Sequence, residues 1–247
     1  FTNGLGNDSD QVGRNIMDHH LGVGASALVD GFEDDYVVGQ RPTALYIPRF
    51  RNWGNDKRDF LRGYGYQGGA FRMDWKRGIG ADGFGVDFKN DLFSLGKWSM
   101  SFGGFGEVLP NPENRMYLDA SKKDQWGVPM IVFDASFGEN EILMRADMKL
   151  AAMEMLDAAG FKNVVGHNRQ DVHLGLGIHE MGTARMGRDV KTSVLNKYNQ
   201  VHDCKNVFVT DGAAMVSSSC VNPSITYMAL TARAADFAVS ELKKQNL

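Results

Sequence analysis

Residues 115–160 read RMYLDASKKDQWGVPMIVFDASFGENEILMRADMKLAAMEMLDAAG. Arg115 to Ala120 and Pro129 to Ala135 are strand-like runs on either side of a polar turn, Ser121 to Gly127. A helix then follows. Asn140 offers an N-cap; Leu143, Ala146, Leu150, Met153 and Leu156 recur at three- and four-residue spacing; Gly160 stops it. Upstream, Leu21 to Ala27 (LGVGASA) reads as a strand interrupted by glycine. From Thr43 to Phe105 the chain is rich in glycine and aromatics without helical period, which predicts strands and long loops. Downstream, Asn206 to Thr210 (NVFVT) reads as a short buried strand. A last helix is expected from about Pro223 to Lys243, with Asn222 as cap and Pro223 at its first position. Strands first and helices later indicate an α+β fold rather than alternating βαβ units.

The chain has 247 residues, 43% of them apolar, enough for one large domain or two small ones. A net charge of -3 and a pI near 6.1 give no electrostatic case for a nucleic-acid or anionic-membrane partner. Cys204 and Cys220 cannot form a disulfide framework. No apolar run is long enough to span a bilayer, so a soluble protein of the bacterial cytoplasm or periplasm is expected, and these residues do not say which. Phe1-Thr2-Asn3-Gly4 contains neither an initiator Met nor a plausible first strand, so the chain is expected to be a piece of a longer one.

Gly63-Tyr-Gly65-Tyr-Gln-Gly68 matches G-x-G-x-x-G, and Gly22-Val-Gly24-Ala-Ser-Ala27 matches its variant ending in Ala. Neither has both a buried strand before it and an amphipathic helix after it, so turns and bulges are the better reading. The histidines have no zinc-ligand spacing, and no metal site is expected. Ser217-Ser218-Ser219 has no nucleophile elbow and reads as a polar loop. His179 stands apart because glycines flank it on both sides in GLGIHEMG, which lets a substrate come close. An imidazole is suited to accept a hydroxyl proton near neutral pH. His167, His173 and His202 are better read as structural.

Three blocks carry a resemblance: His179-Glu-Met-Gly-Thr-Ala-Arg185-Met-Gly187, then Val209-Thr-Asp211-Gly212, then Val221-Asn222-Pro223-Ser-Ile-Thr226. In this order and spacing they closely resemble the C-terminal signature of the GMC (glucose–methanol–choline) oxidoreductases. The segment from Gly4-Leu5 to Val12-Gly-Arg14-Asn15-Ile-Met-Asp18-His19 also resembles that family. The resemblance implies an α+β fold with a mostly antiparallel sheet and helices packed on one side. It further implies segments that complete an absent FAD-binding domain. On this division residues 1–20 border that domain, 21–200 form the substrate-binding domain, and 201–247 return to the FAD domain.

The resemblance also implies FAD as cofactor and a CH–OH donor as substrate. His179 matches the catalytic base. Asn222 matches the second position of the pair; it cannot be a base, but its amide can orient the hydroxyl or steady the developing alkoxide. Asp211 and Gly212 match positions beside the cofactor, with a turn as the bland reading of Asp211. Arg14 and Asn15 match a block near the flavin, and Pro223 opens a helix whose N-terminus would favour reduced, anionic flavin. Thr183, Arg185 and Met186 are expected to be structural. Aromatics from Tyr46 to Trp75 and Trp98 to Phe105 suit a sugar or polyol, and as readily form the core of a sheet. YIPRFRN, GYGYQGG and NRMYLD resemble bacterial sugar or glucoside dehydrogenases of the family. Two alternatives stay open: a substrate-recognition or assembly module serving a flavin-carrying partner chain, and a lyase on the same fold.

Overall fold

Alternating side chains and well-placed glycines make strands of residues 23–29, 45–47, 64–72 and 98–106. The computed structural model describes residues 4–35 and 44–247; the reading of Phe1-Thr2-Asn3 and the Thr43 boundary lie outside them. In chain order the elements are β1 (Val23–Val29), β2 (Leu45–Ile47), β3 (Tyr64–Arg72), α1 (Gly85–Phe93), β4 (Trp98–Gly106), β5 (Arg115–Lys123) and β6 (Pro129–Asp134). They continue with α2 (Glu139–Ala158), β7 (Lys162–Asn168), β8 (Gln200–Val201), β9 (Cys204–Phe208) and α3 (Ser224–Lys243). Five strands form an antiparallel sheet in the order β2-β3-β4-β1-β7; β5 with β6, and β8 with β9, form two hairpins. The α+β fold matches the expectation.

Period-two alternation gives the sheet two faces. Val23, Ala25, Ala27, Tyr64, Tyr66 and Phe102 are buried with Met144, Met148, Ala152 and Leu156 of α2. Each such large side chain contributes about 1.5–3 kcal/mol when fully buried. Polar ties fix the helix in register: Tyr66 donates its hydroxyl to Met148 O at 2.6 Å, and Arg51 pairs with Asp147 at 3.1 Å. The helix lies close because β4 is glycine-rich where it passes. A Cβ at Gly106 would come within 2.1 Å of Met148 Cε. Residues of the other parity, among them Gly65, Gln67, Gly103 and Phe105, alternate to the opposite face, with Gln67 paired to Gly103 and Gly65 to Phe105.

Several expectations are corrected. The apolar stripe of α2 is Met144, Met148, Ala151, Ala152 and Leu156, not the leucine-led set; Leu143 and Leu150 are 39% and 57% exposed. Its cap is Gly138, whose N–H donates to Glu141 Oε2 at 2.9 Å, while Asn140 Oδ1 accepts from Leu61 N at 2.7 Å. A nine-residue helix, α1, stands where only strands and loops were expected; it is short and fully buries no residue, with Phe88 and Leu92, one turn apart, half-buried. β9 begins at Cys204, two residues before the expected run, and is half exposed rather than buried. The edge strand β7 gave no clear signal. Both glycine patterns are strand backbone, in or beside β1 and β3. Asn222 makes no side-chain cap to α3, whose N-cap is Pro223.

Candidate functional site

The N-terminal block is threaded through the fold. Gly13 N–H donates to Thr183 O (2.8 Å), Met116 N–H to Gly13 O (2.7 Å), and Met17 and Met181 exchange two bonds at 2.9 Å. A side chain at Gly13 has no room, since its Cβ would lie 2.3 Å from Met116 O on a backbone with φ +85. Ile16 to His20 are all buried. This path sets Asp18 and His19 beneath residues 175–179.

Asp18 is fully buried and its carboxylate gathers backbone donors from two segments. Oδ1 accepts from His19 N (2.7 Å) and His179 N (3.1 Å); Oδ2 accepts from Gly175 N (3.0 Å) and Gly177 N (2.7 Å). A charged acceptor makes these bonds stronger than neutral ones. They hold the glycine-flanked loop, and with it the half-exposed His179. Ile178, just before, takes φ +62, so the loop's path is imposed by these contacts rather than by intrinsic preference.

His179 Nδ1 lies 2.8 Å from Nδ1 of His19. The other nitrogen of His19, Nε2, lies 3.0 Å from both Ser218 O and Ser219 O. Burial first, then the nearness of His179, holds His19 below the ordinary imidazole range, against the opposing pull of the two carbonyls. Phe105 packs against both rings, with centroids 5.6 Å from His19 and 6.0 Å from His179. Asn222 lies four residues beyond Ser218, and its Oδ1 accepts from Gln67 Nε2 at 3.1 Å. Gln67 and Phe105 share the sheet face opposite α2. The two residues of the expected pair thus reach one region, His179 through Asp18 and His19, Asn222 through Gln67.

The remaining expected residues divide. Gly212 packs on the His179 segment: its Cβ would sit 2.4 Å from Glu180 O, and its carbonyl accepts from Gly182 N at 3.2 Å. Asp211 caps the short turn Gly212–Ala214 through a bond from Ala213 N at 3.0 Å, which is the bland reading made concrete. Pro223 accepts from Thr226 N and Tyr227 N and begins α3, whose first N–H groups no side chain caps. Arg14 is occupied by Asp10 (2.8 Å) and Pro112 O (3.2 Å), and Asn15 bonds Gln11 Oε1 at 3.2 Å, so both side chains serve their own neighbourhood. Asp18, His19, Gln67 and Phe105 were not singled out by sequence reasoning. Each lay inside a stretch that carried a signal: Asp18 and His19 in the resembling N-terminal block, Gln67 in GYGYQGG, and Phe105 at the end of the aromatic run from Trp98.

Beside Asp211 an open groove of about 530 Å³ is lined by Thr210, Tyr227, Met228, Thr231 and Ala232. The Tyr227 hydroxyl is buried without a hydrogen-bond partner, and burial, with Asp211 and Glu180 nearby, pushes its pKa up to about 12. Of the aromatics, Phe60, Tyr64, Tyr66 and Phe102 are core; Tyr46 is 43% exposed, and its register partner is Gln67. Ser217 Oγ donates to buried Glu107 Oε1 at 2.5 Å, and Ser218 Oγ accepts from Val108 N at 3.1 Å, so the serine loop is an anchor. Among the described residues no group of three or more His, Cys, Asp and Glu could hold a metal ion, and no helix is long and apolar enough to cross a membrane.

Residues 110–231 match the family model described as GMC oxidoreductase. The chain is 29% identical over 98% of its length to the fructose dehydrogenase large subunit of Gluconobacter japonicus, covering 43% of that protein. It is 33% identical over 95% of its length to 2-methyl-1,2-propanediol dehydrogenase of Mycolicibacterium austroafricanum, again covering 43%. The chain therefore spans less than half the length of these curated relatives. A solved structure of Aspergillus oryzae formate oxidase shares the fold, with a TM-score of 0.61 over 96% of this chain and 48% of that one, at 17% identity. This chain carries the C-terminal domain of a GMC oxidoreductase.

Proposed function

We propose that the chain is the substrate-side half of an FAD-dependent enzyme that oxidises a CH–OH group of a small alcohol or sugar. On this reading residues 1–20 border the FAD-binding half, 21–200 hold the substrate, and 201–247 return to the FAD side. The observation that carries it is the seating of His179: its loop is pinned by Asp18 and its ring is half exposed beside a glycine-rich approach. The relatives' names, fructose dehydrogenase and 2-methyl-1,2-propanediol dehydrogenase, support a hydroxyl substrate.

Bound FAD supplies the acceptor for the hydride that leaves the substrate carbon. His179 takes the hydroxyl proton as the carbonyl forms, which keeps an alkoxide from having to stand alone. Asn222, with its amide oxygen engaged by Gln67, has its N–H donors left to orient the hydroxyl and steady charge developing on oxygen. Phe105 and Tyr46 offer apolar faces to a carbon skeleton. The chain's own residues fit the cofactor: the groove beside Asp211, the unpartnered Tyr227 hydroxyl and the uncapped start of α3 offer room, a hydrogen bond and a positive dipole end.

In the full-length enzyme, anaerobic mixing with a panel of sugars and simple alcohols is expected to bleach the flavin bands. His179→Ala is expected to slow bleaching about 100-fold or more, the contribution of a positioned general base. A flavin that no alcohol reduces, or a variant as fast as wild type, overturns the assignment.

A further inference from the structure

We propose that His19 is a positioning residue that sets the tautomer of His179, leaving Nε2 of His179 bare to receive the substrate's proton. The inference rests on the reading of His179 as base. It begins with the carbonyls of Ser218 and Ser219, both 3.0 Å from His19 Nε2. A carbonyl oxygen only accepts, so His19 Nε2 carries a hydrogen and donates it. Burial favours the neutral ring, and the second imidazole at 2.8 Å opposes a second proton. Neutral His19 with a proton on Nε2 presents a lone pair at Nδ1. The bond between the two Nδ1 atoms needs one donor, and His179 must supply it. Neutral His179 then has its hydrogen on Nδ1 and its lone pair on Nε2.

The same contact serves the next moment of the reaction. Once Nε2 of His179 has been protonated, its Nδ1–H still has a buried acceptor, so the imidazolium is hydrogen-bonded where it forms. His19 also joins the base's loop to the backbone four residues before Asn222, so that one buried ring sets the spacing of the pair. A base fixed in the wrong tautomer is a poor base even when its geometry is intact; such errors cost up to about 10⁴-fold.

The test uses full-length holoenzyme and a substrate that bleaches the wild-type flavin. His19→Leu removes the acceptor; His19→Asn places an amide oxygen near the position of Nδ1. The limiting rate of anaerobic reduction is expected to fall about 100-fold in His19→Leu, with substrate Kd within about threefold. His19→Asn is expected to recover at least about tenfold of that loss. A purely structural role would impair both variants alike or weaken Kd together with rate. Either result, or a His19→Leu enzyme as fast as wild type, overturns the proposal. Ring ¹⁵N shifts of His179 in the wild-type holoenzyme decide the matter even if His19→Leu fails to fold. A hydrogen on Nδ1 is the expected state, and a hydrogen on Nε2 overturns it. If His179→Ala reacts at the wild-type rate the base reading falls, while the shifts still report which tautomer His179 holds.

Discussion

His20 sits beside His19 yet has no hydrogen-bond partner on either ring nitrogen, and it stacks on Phe137 with centroids 5.2 Å apart. Complete burial, then the charge of Arg145, lowers its pKa to about 3. An unfolded imidazole takes its proton near pH 6.5, so as the pH falls the unfolded chain is protonated first. Stability contributed by neutral His20 is therefore whole above that value and declines as pH falls toward about 3. Between about pH 7.5 and pH 5 this loss is about 2 kcal/mol. The thermal midpoint of the full-length protein should drop less over this interval in His20→Leu than in wild type; equal drops would remove His20 as the cause. Asp18, His19 and His20 are consecutive, and their roles were illegible in sequence for a physical reason. The partner of His19 lies 160 residues away, and no local pattern encodes that distance.

At the scale of elements, the sheet was legible where its glycines and alternation were, and α2 was legible as a helix but not by face. Apolar pattern ranks leucine over methionine, whereas α2 turns Met144 and Met148 toward the hollows left by Gly104 and Gly106. Two kinds of glycine follow. At Gly24 a Cβ would meet Phe102 O at 1.9 Å on a backbone with φ +150, and neither strand backbone can yield. At Gly104 the nearest atom is Met148 Sδ at 2.7 Å, part of a flexible side chain. Gly104→Ala is expected to cost about 1–3 kcal/mol, and Gly24→Ala more, to the point of poor expression. Equal urea midpoints for the two variants would contradict this ordering.

At the scale of the whole molecule, apolar side chains stand exposed in several places among the described residues, the segment from Trp75 to Leu95 included. Tyr117, Leu118, Trp126, Ile131 and Phe133 are exposed on the β5–β6 hairpin, as are Ile225, Met228, Val239 and Leu242 on α3. Exposed apolar side chains gathered on one element in this number mark contact with something else. The 247-residue chain expressed alone is accordingly expected to self-associate in light scattering. Ile225→Ser with Met228→Ser should shift it toward monomer; a monodisperse wild-type monomer would argue that these faces need no cover.

Three sequence blocks, by their resemblance to the GMC oxidoreductases, pointed to the family and to His179 and Asn222 as the expected pair, and the order of strands and helices pointed to the α+β class. Those properties are carried by local chemistry: glycines that clear space around an imidazole, and an Asn-Pro that opens a helix. Only the tertiary structure decided which buried groups hold that pair, because hydrogen bonds among Asp18, His19, His179 and the Ser218–Ser219 carbonyls join segments that are neighbours only after folding.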